Sequence, residues 1–238
     1  SLNVCKEDGQ QIRWTTSKCA ELFVFMLLQK GKKISKDRLM EVLFPDKNQE
    51  KADINLRSTI SRLNRTFREY DVSVSVISTS REYQLHTDSH IKVEVDAFQL
   101  ESLDPGSTGI DAGNVAQYRQ ILSQYGGMLL EDFEASWCET YRAAFHFYFV
   151  SAAKKLLAYD MTLSTEQSNL LNLIETLTKY EPYDESVREW AMKLQYQLTG
   201  RQGANAYFKK YQNLIMQELG EEPGEALCKL YKQLMDET

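Results

Sequence analysis

The hydrophobic period of this chain changes once early on, from helical to alternating, and that change restricts its fold more than any other feature. Over residues 51–68, KADINLRSTISRLNRTFR, Leu56, Ile60, Leu63 and Phe67 recur at helical spacing and form an apolar stripe. Directly afterwards Val72, Val74 and Val76 alternate with serines, as a half-buried strand does. The helix has a second face, on which Arg57, Ser58, Ser61, Arg62 and Arg65 follow the same period. Five basic residues (Lys51, Arg57, Arg62, Arg65, Arg68) against Asp53 give residues 51–68 a charge of +4, in a chain that is −6 overall. A helix that buries one side and offers arginines and serines on the other suits the DNA major groove. The same pattern also fits an ordinary surface helix with a solvated charged face, so the neighbouring segments have to decide.

Those neighbours are well punctuated. Residues 4–14 read as a short hairpin turning at Glu7-Asp8-Gly9. The polar cluster Thr15, Thr16 and Ser17 can cap a first helix over 18–29, whose buried side carries Leu22, Phe23, Met26 and Leu27. Gly31 stands where a left-handed C-terminal cap is expected. Ser35 can cap a second helix over 36–43, which Pro45 stops. After the third helix and the Val72 strand, a polar tip at 78–82 leads to a return strand over 83–86. Val93, Val95 and Phe98 end the unit, and residues 103–113, LDPGSTGIDAG, form a boundary rich in Gly, Asp and Ser.

The remainder is helical: 114–124, closed near Gly126-Gly127, then 139–161, 164–179, 185–198, 203–219 and 225–235. Breakers at Pro182, Gly200, Gly220 and Pro223 part these helices. Helices of this length with short connections imply antiparallel neighbours, as in TPR-like stacks. The consensus of a 34-residue repeat is not evident, so the expected form is helical hairpins of weak repeat character. Residues 139–161 are strongly aromatic (Tyr141, Phe145, Phe147, Tyr148, Phe149, Tyr159) and are expected to form core between stacked helices, with a ligand groove as the alternative.

Composition bounds the function. A hydrophobic fraction of 42% and a charged fraction of 26% are those of a soluble globular protein. No apolar run approaches the roughly 20 residues needed to span a membrane. The start, SLNVCKEDGQ, has neither a leading Met nor a signal-peptide pattern, so Ser1 is expected to be a cut within a longer chain or a cloning scar. Cys5, Cys19, Cys138 and Cys228 lie far apart, without metal-ligand spacing, and read as reduced thiols of a cytoplasmic protein. Residues 1–100 hold 16 basic and 14 acidic side chains, whereas residues 101–238 hold 12 and 20. That asymmetry implies two modules with different partners.

Enzymatic readings find little support. His86, Asp88 and His90 sit at alternate positions and would share a strand face, but a polar strand end accounts for them as well as a metal site would. No phosphate-cradling glycine loop is present, and the scattered carboxylates make no acid–base pair. No cofactor, metal or catalytic residue is expected.

The order of elements and residues resembles a known pair of domains. Trp14-Thr-Thr through Gly31, Ser35-Lys-Asp-Arg-Leu, Leu43-Phe44-Pro45 and Ala52 through Leu63 resemble the winged-helix effector domain of the OmpR/PhoB type. Tyr125-Gly126-Gly127-Met-Leu129-Leu130, Asp132-Phe133, Trp137 and Arg142 resemble the opening of the bacterial transcriptional activator domain. Glu181-Pro182-Tyr183-Asp184-Glu185, Thr199-Gly200-Arg201, Tyr211 and the run from Glu218 to Pro223 continue that likeness. The combination is similar to SARP-type regulators, and to response regulators with the same effector half. No phosphoacceptor receiver pattern is present; if the native protein has one, it lies upstream of Ser1. One departure concerns the wing, where the family often has a glycine before the aromatic residue of the return strand. Here the tip is Ser78-Thr79-Ser80-Arg81-Glu82-Tyr83, so a wider or differently capped turn is expected.

The expected fold is thus mainly α: a winged helix-turn-helix domain with small β-hairpins over 1–100, then an all-α, TPR-like helical-hairpin domain over 110–238. The resemblance implies a cytoplasmic, sequence-specific transcription regulator, an activator, whose partners are double-stranded promoter DNA and, through the helical domain, RNA polymerase or a second protomer. The candidate DNA-binding residues are Lys51, Asn55, Arg57, Ser58, Ser61, Arg62, Arg65 and Arg81. Guanidinium forks suit phosphate and guanine alike; Asn55 could read adenine, and Ser58 and Ser61 could bond phosphate or base. Lys47 and Lys51, in the turn entering the helix, are expected to meet phosphate, and Trp14 to be a core aromatic. The alternative is an interaction module whose helical domain senses a ligand or protein and whose winged helix is a protein contact surface.

Overall fold

The structure is a computed structural model that describes residues 4–5, 9–79, 81–87, 102–103, 109–131, 133–163 and 167–236. Val93, Val95 and Phe98, the expected end of the first unit, lie outside the described residues. The chain divides into two compact units. The first comprises residues 1–95 and 127–142, and the second residues 96–126 and 143–238. The segment 127–142 therefore groups with the N-terminal unit, although it lies within the 110–238 stretch of the sequence.

The first unit holds α1 (Ser17–Leu28), β1 (Ile34–Ser35), α2 (Lys36–Leu43), α3 (Gln49–Glu69), β2 (Val74–Thr79) and β3 (Glu82–Thr87). Each helix starts on a side-chain cap that satisfies a free N-terminal amide. Thr16 Oγ1 accepts from Cys19 N at 3.3 Å, Ser35 Oγ from Arg38 N at 3.2 Å, and Asn48 Oδ1 from Lys51 N at 3.0 Å. Helix α3 thus begins before Lys51, which lies inside its first turn rather than in the loop leading to it. Past α1 the left-handed turn opens at Lys30 (φ 53°) and continues through Gly31 (φ 73°), one residue earlier than the glycine alone indicated. Of the expected N-terminal hairpin the described residues hold a bridge between Cys5 and Gln11, with Ile12 N donating to Val4 O at 2.8 Å, while Glu7 and Asp8 of its turn lie outside them.

The three strands form an antiparallel sheet in the order β1-β3-β2. Val74, Val76 and Leu85 of the sheet are buried, as are Leu56, Leu63 and Phe67 of α3 and most of α1, and α3 packs against both β2 and α1. Trp14 joins that core beside Phe23 and Phe67, at ring centroid distances of 5.3 and 6.1 Å. Pairing between β2 and β3 runs out to Thr79 opposite Glu82. Ser80, at the tip where a wider or differently capped turn is expected, lies outside the described residues. Asn64 of α3 gives its amide to Val76 O at 3.0 Å and accepts from Val76 N at 2.7 Å, and Lys36 N donates to Arg81 O at 3.0 Å.

Segment 127–142 covers α1. Trp137 Nε1 donates to the buried Glu21 carboxylate at 3.1 Å, and its ring meets Phe25 edge-on at 5.1 Å. Tyr141 accepts from Gln29 at 2.5 Å. Arg142 gathers the carbonyls of Leu129, Leu130 and Phe133, which ties the irregular stretch to its own helix.

The second unit contains α4 (Val115–Ser123), most of α5 (Trp137–Leu163), α6 (Gln167–Tyr180), α7 (Glu185–Glu218) and α8 (Glu225–Asp236). One core cluster centres on Phe149, Leu157, Leu177 and Val187, and another on Met192, Phe208, Tyr211 and Leu227. The aromatic run of α5 is not all core: Phe145 and Phe149 are buried, but Phe147 is 60% exposed. The two helices expected over 185–219 form a single run broken at Gly200, whose φ of 66° and ψ of −159° interrupt the helical backbone. Glycine adopts such a conformation without the penalty a side chain would bring.

Candidate nucleic-acid interface

Helix α3 presents the basic face that the sequence anticipates. With 3.6 residues per turn, Leu56, Leu63 and Phe67 mark its buried centre, and the opposite side carries Ile54, Ser58, Ser61 and Arg65. Arg57 and Arg68 lie on one flank, and Lys51, Asn55 and Arg62 on the other. Lys51, Arg57, Ser61, Arg62 and Arg65 are exposed, and Asn55 and Ser58 half-buried. Arg81 is exposed in the β2–β3 connection, apart from these helical residues along the chain but in the same unit. Ile60, placed on the apolar stripe, is only half-buried, and Thr59 and Thr66 complete the buried side instead. Thr66 Oγ1 lies 2.9 Å from Thr15 Oγ1 and donates to Arg62 O, which satisfies its hydroxyl within the core.

The arginines differ in their partners. Arg57 grips Asp53 through two bonds, Nε to Oδ1 at 3.1 Å and Nη2 to Oδ2 at 2.9 Å. Lys36, at the start of α2, reaches the same carboxylate at 2.6 Å. The Lys36 ammonium first, and then the Arg57 guanidinium, outweigh partial burial and hold the Asp53 carboxyl below its ordinary value. Arg65 makes a loose contact with Glu69 at 3.7 Å. Arg62 has no side-chain partner among the described residues.

Lys36, Asp53 and Ile54 are not among the candidate DNA-binding residues that the sequence offers. The spacing of four between Asp53 and Arg57 could have revealed one pair. Lys36 comes from another helix, and Ile54 from a position that a search for basic and short polar residues passes over.

Elsewhere, His86 is exposed on β3, whereas Asp88 and His90 lie outside the described residues. No group of three or more His, Cys, Asp or Glu among the described residues could hold a metal ion. Cys138 is buried, which pushes its thiol up to about 11. In the helical unit an open depression of about 500 Å³ lies beside the Gly200 break, lined by Gln195, Thr199, Gln202, Gly203, Ala206, Tyr207 and Lys210. No helix among the described residues is long and apolar enough to cross a membrane.

Comparison with known proteins adds the family. No curated protein sequence matches the chain. Among solved structures the fold is similar to Mycobacterium tuberculosis EmbR, solved in complex with a low-affinity phosphopeptide, with a TM-score of 0.70 and 18% identity. The likeness covers 96% of this chain and 61% of that one, so the chain spans less than two thirds of the length of EmbR. It supports the architecture above, a winged helix followed by helical hairpins. The sequence profile described as the bacterial transcriptional activator domain matches residues 95–235. The chain therefore belongs to the bacterial transcriptional activator domain family, in the SARP-type arrangement of a winged helix followed by that domain.

Proposed function

We propose that this chain is a sequence-specific DNA-binding activator that lays α3 in the major groove of promoter DNA. Arg57, Arg62 and Arg65, with Asn55, Ser58 and Ser61, face the base edges and their flanking phosphates, while Lys51 and Arg81 contact the backbone. The observation that carries this reading is the outward face of α3, basic and exposed on a helix whose other side is fixed in the core. Phosphate contacts would position the unit and base contacts would specify the site. The helical unit would recruit RNA polymerase or bind a second protomer. The same reading puts the protein in the cytoplasm, as a SARP-type regulator or as the effector half of a response regulator.

A mobility-shift assay on a site selected from a random pool tests the assignment. Arg57→Ala and Arg62→Ala are each expected to weaken specific binding by about 1–3 kcal/mol, the value of one guanine-reading arginine, and the double variant to abolish it. Both should unfold at the wild-type denaturant midpoint. Unchanged affinity in both single variants would sink the site.

The depression beside Gly200 favours a second reading, in which the helical unit senses a ligand or protein and the winged helix is a protein contact surface. Salt separates the two. DNA affinity that falls steeply between low and moderate salt supports the first. No DNA binding at low salt favours the second.

A further inference from the structure

Helix α3 carries one large apolar side chain where its neighbours are polar. Ile54 is 61% exposed. It lies about opposite the buried line of Leu56, Leu63 and Phe67, on the line that continues through Ser58, Ser61 and Arg65. Serine side chains are short, so nothing on that line within the next two turns overtops the isoleucine. Asp53 draws Arg57 to one flank, and Asn55 and Arg62 lie on the other, which leaves the apolar group in the middle of the face.

A single exposed aliphatic residue is unremarkable on most surfaces. This one is centred on the face that would enter the groove, and that restricts what it can touch. Phosphates and most base edges in the major groove offer hydrogen-bonding groups, which an isoleucine would only desolvate. The apolar group on offer is the C5-methyl of thymine.

We propose that Ile54 is a specificity-determining residue that packs against the C5-methyl of a thymine in the recognition site. The proposal rests on the reading of α3 as the groove-entering helix and adds the base that its apolar centre selects. At that position thymine is preferred over cytosine, which lacks the methyl, and 5-methylcytosine substitutes for thymine as far as this contact is concerned. The flanking arginines contribute affinity at neighbouring pairs and leave this preference unchanged.

The test uses the full chain and a site selected from a random pool. Each thymine is replaced in turn by deoxyuridine, which removes the methyl and keeps every hydrogen-bonding group. For the wild type, one position is expected to lose about fourfold in affinity, the fold-change that burying one methyl-sized group is worth. Ile54→Ala should bind the unsubstituted site about four- to tenfold more weakly and show no further loss at that deoxyuridine. Ile54→Val should keep most of the sensitivity. Because the residue is exposed, Ile54→Ala should melt like the wild type. Wild-type binding indifferent to every deoxyuridine overturns the proposal, as does an Ile54→Ala variant that keeps the full penalty. In both cases the DNA-binding reading stands. If the wild type binds no DNA at low salt, that reading and the proposal fall together.

Discussion

Arg62 on α3 and Arg188 on α7 carry the same guanidinium in opposite surroundings. Arg62 is exposed and has no side-chain partner among the described residues. Arg188 donates Nε and Nη2 to Pro182 O at 3.0 and 2.7 Å and Nη1 to Tyr207 Oη at 3.0 Å, and it lies 4.8 Å over the ring of Tyr211. Burial pushes the Tyr211 phenol up to about 12. Three further side-chain pairs of the helical unit are partnered as Arg188 is. Arg119 meets the buried Asp160 at 2.5 Å, His146 meets Glu181 at 2.6 Å, and Lys154 bonds Asp184. Residue type therefore says little about whether an arginine serves a ligand or the fold; the partners it has at home decide. The Glu181–Glu185 run, part of the family likeness, is in physical terms the turn that Arg188 fastens.

The contrast can be broken from either side. Arg188→Met should cost about 2–4 kcal/mol of stability, because it removes three hydrogen bonds and leaves the Pro182 carbonyl without its donor. Arg62→Met should stay within about 0.5 kcal/mol of wild type, as exposed substitutions do. Guanidinium unfolding of both variants checks this, and similar midpoints would erase the distinction.

A smaller effect is expected at Asp184, which caps α7 through Val187 N at 3.2 Å and accepts from Ser186 and Lys154. Asp184→Ala should cost about 1–2 kcal/mol. Burial alone would raise this carboxyl, but its bonds to Lys154, Ser186 and Val187 hold it below the ordinary value. A lowered native pKa stabilises above the unfolded value of about 3.9 and ceases to do so as pH falls through the native one. The stability gap between wild type and Asp184→Ala should therefore be full at pH 7 and narrow below about pH 4. A gap that widens on acidification would contradict the assignment.

The smallest effect belongs to the wing. Arg81→Ala should leave stability unchanged, weaken DNA binding at all sequences about equally, and lower the slope of log affinity against log salt by about one. A loss confined to one sequence would make Arg81 a base reader.

Local features were the most legible in the sequence. Thr16 and Ser35 cap the helices they were expected to cap, because an N-cap is a short-range bond between a side chain and an amide three residues on. The start of α3 at Gln49 is less legible, because Gln49 and Glu50 carry no apolar period. The outward placement of Arg57, Arg62 and Arg65 followed from periodicity alone. What escaped depends on partners distant in sequence. Segment 127–142 groups with the first unit through contacts such as Trp137 with Glu21, and no local pattern encodes these. The tie from Asn64 of α3 to both backbone groups of Val76 is likewise not encoded locally.

That residue, Asn64, has a second consequence. In the order β1-β3-β2, strand β2 is paired with a strand on one side only among the described residues. Open rims recruit foreign strands. By occupying both the N–H and the C=O of Val76, Asn64 blocks the middle of that rim with a side chain that cannot propagate a sheet. One amide thus ties the strand to α3 and closes the rim at Val76 to strand addition.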